Sequence, residues 1–276
     1  MFKNTMDAAL VINTDLPDTL LLYAAVGQAN SSIGALDNFD KINENGNVVH
    51  LFTAQNKSIE NLTLTGSYYY APDLGSDGLD MDIIWGDAKY AGSGFSAAVQ
   101  GGQMSYDGET EDLTAYGIKV GAKLAMFDLF AAYSSTEGPG GKLMRVTNLA
   151  TTQHPAPGLG IKSPLYTQMV LDNIGNHQAQ NSDWVVANAK TKLFGGTATV
   201  AYGQAIDNDT AFSAGTTGAA FGKNPWEFDL MYKTKVTEDI TVFAAYVLTD
   251  RDQENRPGGF EEDSNNFVRF WARYNF

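Results

Sequence analysis

The sequence predicts an all-β fold, an antiparallel barrel whose strands cross a membrane. Two observations support this fold class. Segments of about 8–12 residues alternate apolar and polar side chains along the whole chain, which is the length and pattern of tilted membrane strands. The connections between these segments alternate between short and long, which is typical of membrane barrels with turns at one rim and loops at the other.

The last ten residues show the alternation most clearly. Side chains on a strand point alternately to opposite faces, so these residues separate into two sets. The apolar set is Val268, Phe270, Ala272, Tyr274 and Phe276, and the other set is Arg269, Trp271, Arg273 and Asn275. A barrel places such an apolar face against lipid, whereas an exposed apolar edge strand promotes aggregation of a soluble protein.

Composition narrows the function classes. The 276 residues carry a formal net charge of −14, which argues against nucleic acid as a partner. The chain has no cysteine, so it has neither disulfides nor a cysteine-ligated metal site. No stretch reaches the roughly 18–20 apolar residues of a membrane helix. If this chain crosses a membrane, it therefore crosses as strands.

We predict thirteen strands. Each is a run of alternating residues, rich in β-branched and aromatic side chains, that ends at a turn-forming segment. In order they are 6–14, 19–28, 47–55, 62–70, 80–90, 95–105, 113–125, 129–136, 183–193, 197–206, 226–236, 240–250 and 265–276. The alternation is explicit in the seventh strand, where Tyr116 and Ile118 fall on one face and Lys119 and Lys123 on the other.

The connections fall into two length classes. The short set is 15–18, 56–61, 91–94, 126–128, 194–196 and 237–239, and the long set is 29–46, 71–79, 106–112, 137–182, 207–225 and 251–264. In outer-membrane barrels the short turns are periplasmic and the long loops are extracellular. One barrel domain over residues 1–276 accounts for this sorting, which a soluble β-sandwich does not require.

The odd number of strands predicts a longer barrel. The last strand should run towards the periplasm, so thirteen antiparallel strands would begin at the extracellular rim. Single-chain bacterial barrels have even strand numbers and begin in the periplasm. The N-terminal residues also lack the apolar core and cleavage site of a signal peptide. We therefore expect the sequence to be the C-terminal part of a barrel that has an odd number of further strands.

Three stretches carry a family resemblance. They are Asp7–Thr19 (DAALVINTDLPDT), Asn56–Leu62 (NKSIENL) and Ser163–Thr167 (SPLYT). With the terminal Arg-Tyr-Asn-Phe, the chain resembles the OprD-like major outer membrane protein porins. The resemblance implies a porin of about 16–18 strands in the bacterial outer membrane, often a homotrimer. It implies passive diffusion of small hydrophilic solutes and ions, contact with outer-membrane lipids, and no cofactor.

The longest loop, 137–182, is the predicted constriction. Its length and apolar content indicate a loop that folds on something rather than a disordered tail. In the family that the chain resembles, such a loop folds into the pore and narrows it. Opposing charges at a narrow point set the size limit and the ion preference of a channel. The candidate constriction residues are Lys142, Arg145, Asp172 and His177, with Asp172 on the acidic side.

Basic residues are predicted to line the pore wall. They fall on the strand face opposite the apolar stripes, and a charge that faced lipid near the bilayer midplane would cost about 2–4 kcal/mol. The predicted lining residues are Lys119, Lys123, Lys190, Lys192, Lys233, Arg269 and Arg273. We expect them to guide carboxylate solutes. Some of them lie near the periplasmic rim, where solvation or binding of lipid head groups is the alternative role.

Acidic residues concentrate in the long loops instead. An acidic vestibule should attract cations, so the vestibule and the wall are expected to differ in ion preference. Asp107, Glu109 and Glu111 are a candidate calcium site, although the spacing of an EF-hand is absent.

Two other classes of function remain open from the sequence. One is a soluble or surface all-β binding or adhesion module, which predicts solubility without detergent. The other is a barrel enzyme, for which His50 and Ser67 are the candidate pair. The common hydrolase, zinc-protease and nucleotide-binding motifs are absent, so no catalytic or metal-binding residue is assigned.

Overall fold

A computed structural model describes most of the chain. The described residues are 6–30, 39–41, 46–74, 79–107, 111–138, 165–170, 182–208, 225–250 and 264–274. Among them there is no helix with the length and apolar character needed to cross a membrane.

Fourteen strands form a single antiparallel sheet. They are β1 (Met6–Asn13), β2 (Thr19–Asn30), β3 (Phe39–Lys41), β4 (Val49–Asn56), β5 (Leu62–Leu74), β6 (Leu79–Ala91), β7 (Phe95–Tyr106), β8 (Leu113–Leu124), β9 (Phe127–Glu137), β10 (Ser182–Leu193), β11 (Gly196–Asn208), β12 (Trp226–Lys235), β13 (Ile240–Asp250) and β14 (Ser264–Tyr274). Thirteen of them are the predicted strands.

The sheet is a meander in which neighbours in sequence are neighbours in space. The order runs from β1 through β2 and β4 to β14, and the short β3 pairs with β2 outside this path. Within the described residues β1 and β14 are therefore the two edges of the sheet. The prediction missed β3 because its three residues lie inside a long connection and are too few to show an alternating pattern.

The short connections are tight turns. Between β10 and β11 only Phe194 and Gly195 turn the chain, and both have positive φ, at 47° and 74°. Positive φ at both central residues is the mark of a type I′ turn, whose twist matches that of the two strands. These turns all lie at one end of the strands, which we call the short-turn end.

The register defines two faces. Residues directly opposite each other in an antiparallel pair share a face, so the face of each side chain follows from the strand pairing. One face contacts the segment 165–170 and is called the inner face. The other, the outer face, carries exposed apolar side chains: Ile84 is 65% exposed, Phe270 68% and Val268 80%. This separation confirms the alternation predicted for the last strand.

The inner face is not uniformly polar. Near the long loops, on β2 to β8, it carries a buried group of side chains that we call the inner apolar cluster. Its members are Ala24, Val26, Val49, Ala71, Met81, Ile83, Met104, Leu113 and Ala115, with Leu165 from the long loop. The sequence pattern predicted a polar inner face, so this cluster was missed. At these strand ends the outer face carries polar side chains such as Asp82 and Gln103, so the polarity of the two faces is reversed there. Alternation alone does not show which of the two faces is covered.

Candidate functional site

The segment 165–170 crosses the inner face from β7 to β12. It begins with a turn in which the backbone N–H of Gln168 donates to the carbonyl of Leu165 at 3.2 Å. A flat sheet would separate β7 from β12 by about 24 Å, because neighbouring strands lie about 4.8 Å apart. A turn of six residues is too short for that distance. The sheet therefore curves around the segment, and the inner face is concave.

Hydrogen bonds to buried groups hold the segment to the wall. The hydroxyl groups of Thr167 and Ser134 lie 2.6 Å apart, and both residues are buried. The backbone N–H of Val170 donates to Oδ2 of Asp229 at 3.0 Å. Asp229 lies on β12 and is fully buried. A buried acid on a barrel strand was not predicted as a site residue, since in sequence Asp229 is one polar position of an alternating strand.

Close packing supplements these bonds. Leu165 joins the inner apolar cluster, and Met169 packs with Val186 on β10 and Ala201 on β11. Gly203 lies directly beneath Met169, where a Cβ would overlap the methionine sulfur and crowd Val186. Because glycine has no side chain, the segment can lie close to the strand backbone at this position. The segment is thus fitted to the wall by shape as well as by polar contacts.

Tyr166 meets the basic part of the wall. Its ring centroid lies 6.0 Å from Nζ of Lys119, and Lys119 also lies 3.9 Å above the ring of Phe130. The phenol donates a long hydrogen bond of 3.4 Å to the carbonyl of Val99. Burial, with a further contribution from the negative charge of Asp87, raises the pKa of Tyr166 to about 12. At neutral pH the phenol is therefore a neutral donor.

All seven basic residues predicted to line the wall lie on the inner face. The register places Lys123, Asp128, Lys190, Thr199, Met231, Ala245 and Arg269 in one cross-strand row. The next row towards the short-turn end contains Lys192, Thr197, Lys233, Phe243 and Trp271, and the last contains Lys235, Thr241 and Arg273. Lys119 lies on the other side of the first row, opposite Ala132.

Few of these cations have an acidic partner. Within the described residues the ion pair closer than 4.0 Å joins Lys89 to Asp87, at 2.7 Å. Both residues lie on the inner face of β6, two positions apart, and neither was predicted as a lining residue. The alternation of β6 is the signal that would have found them, since it places them on the same face as Trp85. Among the described residues none of the seven predicted lining residues is within 4.0 Å of an acidic oxygen, although Asp128 lies directly opposite both Lys123 and Lys190.

The predicted constriction residues cannot be positioned in the same way. Lys142, Arg145, Asp172 and His177 lie outside the described residues. Of the candidate calcium ligands, Glu109 also lies outside them. Within the described residues no group of three or more histidine, cysteine or acidic side chains is arranged to hold a metal ion.

The structure separates the candidate hydrolase pair. His50 lies opposite Tyr70 on the outer face, where Nδ1 of its ring lies 2.9 Å from the hydroxyl of Tyr23. Ser67 lies opposite Thr53 on the inner face, and their hydroxyl groups are 2.8 Å apart. The two side chains are on opposite faces of the sheet because their positions differ by an odd number in the paired register. The pairing of His50 with Ser67 was therefore wrong.

Comparison with known proteins gives matches in structure only. No family model matches the sequence, and no curated protein matches it. Crystal structures of Pseudomonas aeruginosa porins match nearly all of the chain. OccK3 (OpdO) aligns with a TM-score of 0.68 and 12% identity over 98% of this chain and 69% of that chain. OccD3 (OpdP) aligns with a TM-score of 0.65 and 14% identity over 99% and 69%.

A third porin from the same organism, OccK8 (OprE), gives a TM-score of 0.67 at 14% identity and covers 99% of this chain and 72% of that chain. At identities this low, the structural match establishes the fold but does not identify the solute. The antiparallel barrel predicted from the alternation is confirmed. The chain has the fold of the OprD/Occ outer-membrane porins, the family that its sequence resembles.

Proposed function

We propose that the protein is a porin of the bacterial outer membrane, through which small hydrophilic solutes and ions diffuse passively. The observation that carries the proposal is the contrast between the two faces of the curved sheet. The outer face exposes apolar side chains such as Ile84 and Phe270, as a lipid-facing wall requires. The inner face carries Lys123, Lys190 and Arg269, which need water.

We infer further that the loop 137–182 narrows the channel through its segment 165–170. The hydrogen bonds to Ser134 and Asp229 and the packing of Met169 on Gly203 support this inference, because they hold the segment across the concave face. The inner apolar cluster supports it as well, since these side chains are buried where an open channel would leave them in water.

The charges suggest how the channel filters solutes. The basic wall would orient anionic solutes, carboxylates among them, while the acidic long loops would concentrate cations at the entrance. Asp172 is proposed as the acidic side of the constriction. Outer-membrane lipids are the proposed contact of the outer face, and the homotrimer implied by the family resemblance is likewise a proposal.

Single-channel recording tests the proposal directly. The full chain, refolded in detergent, is added to a planar lipid bilayer under a KCl gradient. Discrete open steps are expected, and the sign of the reversal potential reports which ions pass preferentially. Folded protein that inserts and gives no steps would contradict a porin function. Protein that stays soluble without detergent would favour the binding or adhesion module instead.

The outer face gives a second prediction. Replacement of Ile84, in the middle of β6, by lysine should destabilise the folded protein in lipid by about 2–4 kcal/mol, because the charge would face the hydrocarbon core. Replacement of Thr65 by lysine is the matched control. Thr65 lies on the inner face opposite Asp87, so a lysine there should change stability by no more than about 0.5 kcal/mol. Equal effects in a urea titration in vesicles would contradict the assignment of the faces.

A further inference from the structure

Two neighbouring turns at the short-turn end carry large apolar side chains that the protein itself does not cover. Met126 lies in the turn between β8 and β9 and is 63% exposed, and Phe194 lies in the turn between β10 and β11 and is 89% exposed. Strands β9 and β10 are paired, so the two turns are adjacent. The hydroxyl of Thr191 joins them by donating to the carbonyl of Met126 at 3.0 Å. We call this pair of turns the turn tip.

The backbone of the turn tip does not require an apolar side chain. Phe194 has a φ of 47° and Ala125 a φ of 51°, both in the left-handed region. Asparagine, aspartate and glycine are preferred there, and a bulky side chain at positive φ is an outlier. The exposure of Phe194 means that its ring gains little from packing within the chain. Neither the turn geometry nor the packing accounts for this phenylalanine, so the contact of its ring lies outside the chain.

The other short turns have a different composition. The turns between β1 and β2, β4 and β5, and β12 and β13 contain the charged residues Asp15, Asp18, Lys57, Glu60, Glu238 and Asp239. These three turns also expose an apolar residue each, beside the charges: Leu16, Ile59 and Val236. The turn between β6 and β7 consists of glycine and serine, and the turn tip has no charged residue. Charged turns need water around them, whereas the turn tip does not.

Side chains of the outer face bind the carbonyl groups of the turn tip. The hydroxyl of Tyr232 donates to the carbonyls of Leu193 and Phe194, at 3.1 and 2.9 Å. The hydroxyl of Thr234 donates to the carbonyl of Gly195 at 3.4 Å. A protein partner could supply hydrogen bonds of its own to these carbonyls, whereas acyl chains supply none. Carbonyl groups that are already bonded within the chain therefore favour lipid as the contact of the turn tip.

The apolar surface of the turn tip continues on the outer face. Leu124 and Phe127, which flank the first turn on that face, are 64% and 43% exposed. Further along the same strands, the outer face forms an apolar groove lined by Ala122, Leu129, Ala189 and Val200. The turn tip is thus an extension of the face that is proposed to contact lipid.

We propose that Met126 and Phe194 form a membrane anchor, which inserts among the acyl chains of the leaflet nearest the short turns. Apolar groups at a membrane interface are buried about 5–10 Å into the boundary between head groups and acyl chains. The anchor rests on the proposed function, because it requires a barrel that spans the membrane. It fixes the depth of the barrel at β8 to β11, so the bilayer or the tilt of the barrel must adapt to this side.

Collisions of a spin label test the depth of the turn tip. The chain has no cysteine, so Phe194→Cys, which retains Met126, and the control Glu238→Cys each provide one site for a nitroxide. The labelled full-length chain is refolded into phospholipid vesicles. Its relaxation is measured with oxygen, which concentrates in lipid, and with a water-soluble nickel chelate. The ratio of oxygen to nickel collisions should be severalfold higher in Phe194→Cys than in Glu238→Cys.

Two outcomes of the collision measurement would overturn the proposal. Equal ratios for the two labels would place the turn tip in water, like the charged turns. A label in Phe194→Cys that is shielded from both reagents would show a contact with protein, such as a second copy of the chain, and would exclude lipid as the partner.

Asparagine substitutions test the anchor through the sign of a stability change. Asparagine is favoured at positive φ, so Phe194→Asn relieves the backbone and should raise the urea midpoint of a protein without an anchor. With the anchor, the midpoint in vesicles should fall, because the contact of the ring with lipid is lost. Ala125→Asn is the matched control, since Ala125 shares the positive φ and has a small side chain, and its midpoint should not fall. A rise in Phe194→Asn, or an equal fall in both variants, would reject the anchor.

Conductance separates this inference from the proposed function. The labelled protein is also recorded in a planar bilayer. Protein that conducts while the label in Phe194→Cys reports water rejects the anchor alone. Protein whose label reports lipid and that never conducts rejects the porin function while the anchor stands.

Discussion

Replacement of Asp229 by alanine is expected to increase the single-channel conductance and the noise of the open current. The carboxyl oxygen of Asp229 accepts the backbone N–H of Val170 at 3.0 Å in a fully buried position. A hydrogen bond of this kind contributes about 0.5–1.5 kcal/mol net, so its loss would shift the docking equilibrium of the segment 165–170 by roughly 2-fold to 13-fold. A segment that leaves the wall this often would leave the channel wider.

Conservative variants separate this effect from misfolding. Asp229→Asn keeps an oxygen that can accept the N–H of Val170, so its conductance should stay closer to that of the original chain. Thr167→Val removes the hydrogen bond to Ser134 and should also raise the conductance. Thr53→Val is the matched control, because the hydroxyl of Thr53 bonds to Ser67 on the inner face of β4 and β5, away from the segment. If Asp229→Ala and Thr167→Val both conduct like the original chain, the segment does not narrow the channel.

The fold was accessible from sequence because strand alternation is a direct consequence of backbone geometry. A period of two residues sets which side chains share a face, and each short turn between two alternating runs fixes an antiparallel pair. The position of the seven basic residues on the inner face was predicted in this way, since a lysine or arginine on one face of an amphipathic membrane strand has to point towards water rather than lipid. That they line a pore stays a prediction.

The contacts that hold the segment 165–170 to the wall could not be predicted from the alternation. Asp229, Ser134 and Gly203 lie on three different strands, and they become one surface only when the sheet curves and the segment 165–170 crosses it. Contacts of such long sequence separation leave no local periodicity. The inner apolar cluster was missed for a related reason, because a covered inner face has the same local pattern as a lipid-facing one.

Charge reversal on the wall is the second large effect. Arg269→Glu should move the reversal potential in a KCl gradient towards cation preference, because Arg269 lies on the inner face opposite Ala245 with no ion-pair partner among the described residues. The interaction energy between a unit charge and a monovalent ion 4 Å away is about 1 kcal/mol in water. An energy of this size changes the local concentration of the ion roughly fivefold. Lys57→Glu is the matched control, since this substitution makes the same change of charge in an exposed short turn at the rim.

The salt dependence of this shift distinguishes the wall from the acidic loops. The screening length is about 10 Å at 0.1 M salt and about 3 Å at 1 M. A wall charge acts at short range within the narrow part of the channel, so the shift in Arg269→Glu should be large at 0.1 M and smaller at 1 M. Charges in a wide vestibule act over longer distances and should lose nearly all influence at 1 M. If Lys57→Glu shifts the reversal potential as much as Arg269→Glu, the selectivity arises at the rim and the basic wall does not filter ions.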